Sequence, residues 1–213
     1  MGGLWVDYDQ MTEIPGLFAA GECDYSQHGA NRLGANSLLS AIYGGMVAGP
    51  NAVKYIKGLK KHAEDLPEEI FTRREKEEQE KWEAILKMDG TENAYLLHKE
   101  LGEWMTDNMT VVRVNSKLEE TYNKLTELQE RWENININDT QKWSNQGAHF
   151  TRQLKNMLYL AKVMTKGALL RNESRGAHYK PEFPERDDEN FLKTTMAKFD
   201  PATGEPIITY QEV

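Results

Sequence analysis

The chain has 213 residues, with 26 Lys and Arg against 34 Asp and Glu, a formal net charge of −8 and a pI near 5.3. That length suits one domain or two small ones, and the acidic balance excludes nucleic acid and anionic membrane as the expected direct partners. No apolar run approaches the roughly 20 residues that span a bilayer, no basic-then-apolar leader opens the chain, and the single cysteine excludes an internal disulfide, so a soluble chain from a reducing compartment is expected, without direct membrane insertion.

In chain order, residues 1–57 are rich in Gly and other small residues, with few charges after Asp9. They read as the end of an α/β nucleotide-binding domain that they cannot form alone, because no G-x-G-x-x-G precedes them and no strand set completes a parallel sheet. Leu17-Phe18-Ala19-Ala20, between the Pro15-Gly16 turn and Gly21, predicts a short buried strand. Gly21 allows close backbone approach, and Glu22 presents a carboxylate at the strand end. A loop of small and polar residues follows, carrying His28 and Arg32. Residues 36–49 predict a tightly packed helix, small on one face and apolar on the other, with Asn36 or Ser37 as its N-cap. A helix start aimed at a ligand offers free N–H groups and partial positive charge.

Residues 58–64 form a polar linker, and 65–172 read as an antiparallel bundle of three to four helices. The first runs from 66 to about 88, with Asp65 as candidate N-cap, Pro67 in the first turn and a highly charged middle. The second covers 92 to about 109. The third carries Leu118, Tyr122, Leu125, Leu128 and Trp132 at helical steps, with Ser116 and Glu119 as a capping box. The fourth covers about 145 to 170. Beyond it lies a tail, 173–213, in which residues 194–199 and 206–210 predict two short strands around a turn.

Several stretches carry a specific resemblance. PGLFAAGE followed by HGANRLGANSLL, the opening MGGLWVDYDQMTEIPGLF, ESRGAH at 173–178 and PERDDENFLKTT at 184–195 together resemble the flavoprotein subunit of the succinate dehydrogenase and fumarate reductase family, in its Gram-positive form. The resemblance covers most of the chain and implies the C-terminal part of a longer polypeptide. It implies hydride transfer between succinate or fumarate and FAD, with electrons passing to an iron–sulfur subunit and then to quinone in a membrane anchor subunit. The location it implies is cytoplasmic, peripheral at the inner face of the membrane through those partners.

By that resemblance Arg32 is the leading catalytic candidate. A guanidinium holds a substrate carboxylate through forked, charge-assisted hydrogen bonds. His28, the second catalytic candidate, could donate to substrate, orient Arg32, or hold the loop by bonding backbone. Glu22 resembles the acidic residue that accepts hydrogen bonds from a sugar hydroxyl of FAD; its alternative is a solvated turn residue. Ser37 and Leu38 match the helix-start contacts to the flavin ring, where an N-terminus stabilises negative charge. Cys23 reads as a small buried residue. The five His lack partners at ligand spacing, so no metal site is predicted.

Arg175, His178 and residues 186–190 either close the tail onto the bundle or meet the iron–sulfur partner. Two rival functions are an L-aspartate oxidase-type flavoprotein and, for the 213 residues alone, a helical interaction module. The 213 residues alone are expected to bind no FAD tightly and to be inactive. The apolar residues Leu17, Phe18, Leu38, Leu39, Ile42 and Val47 would then need cover, for which a homodimer is one solution.

Overall fold

The computed structural model describes residues 2–25 and 28–213. The chain divides into two compact units, residues 1–70 and 71–213.

In the first unit the chain start is a folded loop rather than a sheet. The Leu4 amide donates to Cys23 O (2.7 Å) and the Tyr25 amide donates to Leu4 O (3.2 Å). The Asp7 carboxylate accepts from the amides of Asp9 and Met11, each at 2.9 Å, closing a turn through Gln10 at φ 66°. Residues 17–19 run back beside 10–12, with Thr12 N to Leu17 O at 2.8 Å and Ala19 N to Gln10 O at 3.1 Å. The predicted buried strand is therefore not present among the described residues. Met11 and Phe18 form one isolated bridge, Leu17 is exposed, and only Ala19 of the run is buried. An apolar run becomes a strand only where a ladder of partners meets it.

Helix α1 spans Asn36–Gly58 and continues through Pro50, beyond the predicted end at 49. Pro50 cannot donate to the carbonyl one turn back, while the neighbouring Asn51 side chain donates to Val47 O at 3.1 Å. The inward face of α1 is built from small groups. A Cβ at Gly44 would lie 3.2 Å from Ala20 Cβ and 3.3 Å from Gly21 N, and one at Gly21 would touch Ala41 Cβ at 3.4 Å. These contacts seat the one-turn 3₁₀ segment Gly21–Cys23, entered at a Gly21 φ of 82°, against α1.

The second unit is the bundle. Helices α2 (Glu68–Leu86), α3 (Ala94–Met109), α4 (Asn115–Trp132) and α5 (Gln146–Leu170) follow the predicted order. Asn93 caps α3 by accepting from Tyr95 N and Leu96 N, and Asn145 caps α5 by accepting from Ala148 N. The start of α3 lies beside the end of α4, where Arg131 forks onto Glu92 (2.8 and 3.2 Å) and reaches Glu100 (2.8 Å). The end of α4 lies beside the start of α5, where Trp132 Nε1 donates to Thr151 O (2.8 Å). Helices α3, α4 and α5 are therefore successively antiparallel. Leu97, Leu101, Leu125, Leu128, Leu154 and Leu158 interlock between them. α2 adds Ile85 and Leu86, and its charged middle is solvated.

The α4 start departs from the predicted Ser116–Glu119 capping box. Val114 is its N-cap and supplies no side-chain bond, while the Glu182 carboxylate from the tail accepts from Asn115 N at 3.1 Å through either oxygen. Tertiary contact replaces the local cap.

The tail closes on the bundle through buried charge. Glu173 is fully buried and accepts from Arg171 (2.5 Å), Arg175 (2.8 and 2.9 Å) and the Asp187 amide (3.0 Å). Fully buried Lys180 donates to Asn115 Oδ1 (2.6 Å), Asn172 Oδ1 (3.0 Å) and Leu169 O (3.0 Å), tying off the last turn of α5. The His178 Nδ1 accepts from Arg113 (2.7 Å), so Nε2–H donates to Arg171 O (2.9 Å). The ESRGAH segment and its acidic follower thus bond within the chain.

A single turn, α6 (Asp188–Phe191), leads into the antiparallel pair β1 (Lys193–Phe199) and β2 (Pro206–Glu212), registered Thr195 opposite Tyr210. Glu205, just before β2, takes Lys162 at 2.6 Å and the Tyr122 hydroxyl, fastening the hairpin to α5 and α4.

Two outcomes follow for stability. Burial raises the Glu173 carboxyl, but the Arg175, Asp187-amide and Arg171 bonds outweigh it and hold it below the usual range. Glu173→Gln leaves two guanidiniums against a neutral partner and is expected to cost about 3–5 kcal/mol, read as a shift in the urea midpoint. His178 is pushed down to about 4, by burial first, and then by the charges of Arg113, Lys180 and Arg171 against the opposing carbonyl bond. Above the ordinary value of 6.5 both states are neutral. Below it the unfolded ring binds a proton that the folded ring refuses, so stability falls progressively as pH drops to about 4, by about 3 kcal/mol in all. Chemical denaturation across that range should show a shallower slope for His178→Gln than for wild type.

Candidate functional site

The candidate residues lie in the first unit, on the Gly21–Cys23 turn, on the loop before α1 and on the first turns of α1. The close Gly21–Ala41 and Gly44–Ala20 packing places the turn bearing Glu22 against the start of that helix. Glu22 is exposed there, with its carboxylate on the solvent side of the turn.

The helix start differs from the predicted capping. The N-cap is Ala35 in the left-handed region (φ 63°, ψ 0°), with no side-chain bond, and Asn36 is already helical. The small Ala35 side chain contains no acceptor, so the N-cap residue takes none of the leading N–H groups of the first turn. The positive end of α1 is consequently available to an electronegative ligand atom beside Ser37 and Leu38. Leu38, an apolar side chain, is 74% exposed.

Arg32 is half-buried, and its Nε is buried with no hydrogen-bond partner. Two other buried side-chain atoms share that condition among the described residues, Gln129 Nε2 and Thr151 Oγ1. Both are neutral, so Arg32 is the charged case. No described carboxylate pairs with it. Buried donors of charged groups are normally satisfied, and a guanidinium without an internal partner is suited to an anionic ligand with planar, forked oxygens.

His28 does not bond Arg32 in this structure. Its Nε2 lies 3.2 Å from Ser40 Oγ, which itself donates to Ser37 O at 2.9 Å. His28 and Ser37 are thereby linked through Ser40, a residue that sequence reading did not single out. Its only signal was a polar side chain on the packed face of a small-residue helix.

A second unforeseen brace lies below the loop. The Gln10 amide, oriented to satisfy both its ends, donates to buried Asp24 (2.9 Å) and to Ala19 O (3.1 Å). Cys23, expected to be buried, is exposed, with its thiol donating to Ala20 O at 3.2 Å. The tight approach of Gly3, whose Cβ would sit 2.5 Å from Cys23 O, fills the space beneath the turn with backbone instead. Ser26 and Gln27 of the same stretch lie outside the described residues. Among the described residues no group of three or more His, Cys, Asp or Glu is placed to hold a metal ion, and no helix is long and apolar enough to cross a membrane.

Comparison with known proteins supplies the rest. Residues 98–213 match the family model described as the fumarate reductase flavoprotein C-terminal region, and residues 1–38 match an FAD binding domain. The succinate dehydrogenase flavoprotein subunit of Bacillus subtilis is 70% identical over 213 residues, all of this chain and 36% of that protein. The fumarate reductase flavoprotein subunit of Haemophilus influenzae is 35% identical, over 100% of this chain and 35% of its own length. Among solved structures, a mutant of the Escherichia coli quinol fumarate reductase FrdA superposes with a TM-score of 0.89 at 33% identity, covering 99% of this chain and 36% of that one. The chain thus spans just over a third of the length of the curated relatives it matches. With its bundle, hairpin tail and glycine-packed helix start matched end to end, the chain belongs to the succinate dehydrogenase and fumarate reductase flavoprotein family.

Proposed function

We propose that the full-length flavoprotein containing these residues interconverts succinate and fumarate, with Arg32 as the clamp for a substrate carboxylate. The observation that carries this reading is the half-buried Arg32 guanidinium, whose Nε is buried without a partner among the described residues, four residues before a helix start whose N-cap residue makes no side-chain bond. A dicarboxylate brings planar, forked acceptors to a guanidinium, and bonds of this kind are the strong ones. Held by one carboxylate, the substrate's central carbons are kept at a fixed place and orientation, which converts binding energy into reactivity.

The first turn of α1 and Glu22 suit the cofactor. The uncapped N–H groups beside Ser37 and Leu38 favour the negative charge of a reduced flavin ring, and the exposed Glu22 carboxylate is an acceptor for a sugar hydroxyl. When bound, FAD supplies the hydride-accepting centre. Leu38 shields that ring edge from water by its exposed apolar side chain. His28 supports the same loop through Ser40. The electrons would leave to an iron–sulfur subunit and then to quinone in a membrane anchor, which places the protein peripherally at the inner face of the membrane through its partners.

Two experiments check this reading. In the full-length flavoprotein, Arg32→Ala removes up to two charge-assisted bonds and is expected to lower succinate turnover by about 10²- to 10⁴-fold while flavin content stays at the wild-type level. Normal turnover in that variant would refute the clamp. The 213-residue chain, purified alone, is expected to show no stoichiometric flavin absorbance, because the glycine-rich phosphate-binding fingerprint is not among its residues.

A further inference from the structure

We propose that Ser40 is a positioning residue for the substrate site: its hydroxyl anchors His28, and thereby fixes the loop that carries Arg32, to the packed face of α1. The inference rests on the clamp reading of Arg32 given above.

Ser40 is 7% exposed and shares the buried face of α1 with Gly44. A hydroxyl in that position needs its bonds made internally, and it has one proton to give. That proton goes to Ser37 O at 2.9 Å, the back-bond that serine commonly makes within a helix. The oxygen is left to accept, so the contact at 3.2 Å is a donation from His28 Nε2–H. Ser40 therefore selects the tautomer of His28 as well as its place.

The loop has little else to hold it. Residues 29–31 are exposed, Gly29 adopts a φ of 54°, and a Cβ added there would meet nothing within 4 Å. Among the described residues, the hydrogen bonds that fix the segment are the His28–Ser40 contact at one end and Asn36 N to Leu33 O (3.3 Å) at the other. Arg32 has no ion pair of its own among them. With its Nε unpartnered and no ion pair among the described residues, Arg32 is placed chiefly by its backbone, and that backbone is tied down four residues earlier, within a reach of about 14 Å even if fully extended. The same serine grips the carbonyl of Ser37, so one hydroxyl couples the substrate loop to the helix start assigned to the flavin.

The test uses the full-length flavoprotein with its cofactor, comparing Ser40→Ala, Ser40→Thr, His28→Ala, the Ser40→Ala/His28→Ala double variant and Arg32→Ala. The expected result is a rise in KM for succinate of about 2- to 10-fold in Ser40→Ala, the range for loss of one side-chain hydrogen bond, with kcat and flavin content near wild type. Ser40→Thr, which keeps the hydroxyl, should restore KM. The double variant should be no worse than His28→Ala alone, because the two residues act as one tether. A wild-type KM in Ser40→Ala, losses that multiply in the double variant, or loss of flavin from Ser40→Ala would each overturn the proposal. If Arg32→Ala collapses turnover while Ser40→Ala is unaffected, this proposal alone fails. If Arg32→Ala turns over normally, the clamp reading fails and takes this proposal with it.

Discussion

The buried carboxylate of Glu173 organises the C-terminal tail of the chain. A carboxylate removed from water is costly unless its lone pairs are filled and its charge is met. Two guanidiniums and one amide do so, and each brings a separate piece of chain with it. Arg171 comes from the end of α5 and extends to the Lys193 carbonyl and Thr195 hydroxyl of β1. Arg175 goes on to Asp188 at the start of α6. The Asp187 amide closes the loop between them. A segment with two prolines and a dense run of charges has little apolar surface to bury, and it is held by electrostatic complementarity instead. Lys180 and His178, on the same segment, then supply the donors and acceptors that the α5 end and the α3–α4 connection leave open.

The first unit shows the opposite arrangement around half-buried Arg32. Charges buried in the bundle and tail meet partners, whereas the Arg32 Nε meets none. The contrast gives the functional reading its physical content. A fold that elsewhere satisfies its buried charge leaves the Nε of one guanidinium without a partner among the described residues, near a helix whose N-cap residue makes no side-chain bond. Both features favour negative charge, and both are supported by uncharged packing: the glycine and alanine contacts of Gly21, Ala41 and Gly44, and the serine that ties down His28. Rigid support of this kind lets a site hold its geometry without filling its own binding groups.

The parts of the fold legible in the sequence are those whose cause is local. Helical periodicity over Leu118, Leu125, Leu128 and Trp132 reports burial directly, since each turn of a packed helix must present an apolar group. Asn145 caps α5 from the adjacent position, and the Asp200–Gly204 turn joins two β-prone runs into a hairpin. The motif HGANRLGANSLL identified the loop and the helix start by resemblance. Tyr122 marks the limit of periodicity, because it lies on the seam but uses its hydroxyl to hold Glu205 of the hairpin.

What only the tertiary structure decided are the bonds between residues far apart in sequence. Glu182 caps α4 from 67 residues away, in place of the local Ser116–Glu119 box. Lys180 ties off α5, Ser40 holds His28 from 12 residues away, and the apolar run at 17–20 stays irregular because, among the described residues, residues 10–12 offer it backbone bonds at only a few points and no ladder. Composition and spacing determined which residues are helical and which face is apolar, and the motif's resemblance pointed to the candidate site side chains. They did not determine which of several equivalent donors and acceptors would meet. That choice depends on which backbone segments the packed core brings within about 3 Å of one another, a distance no local pattern encodes.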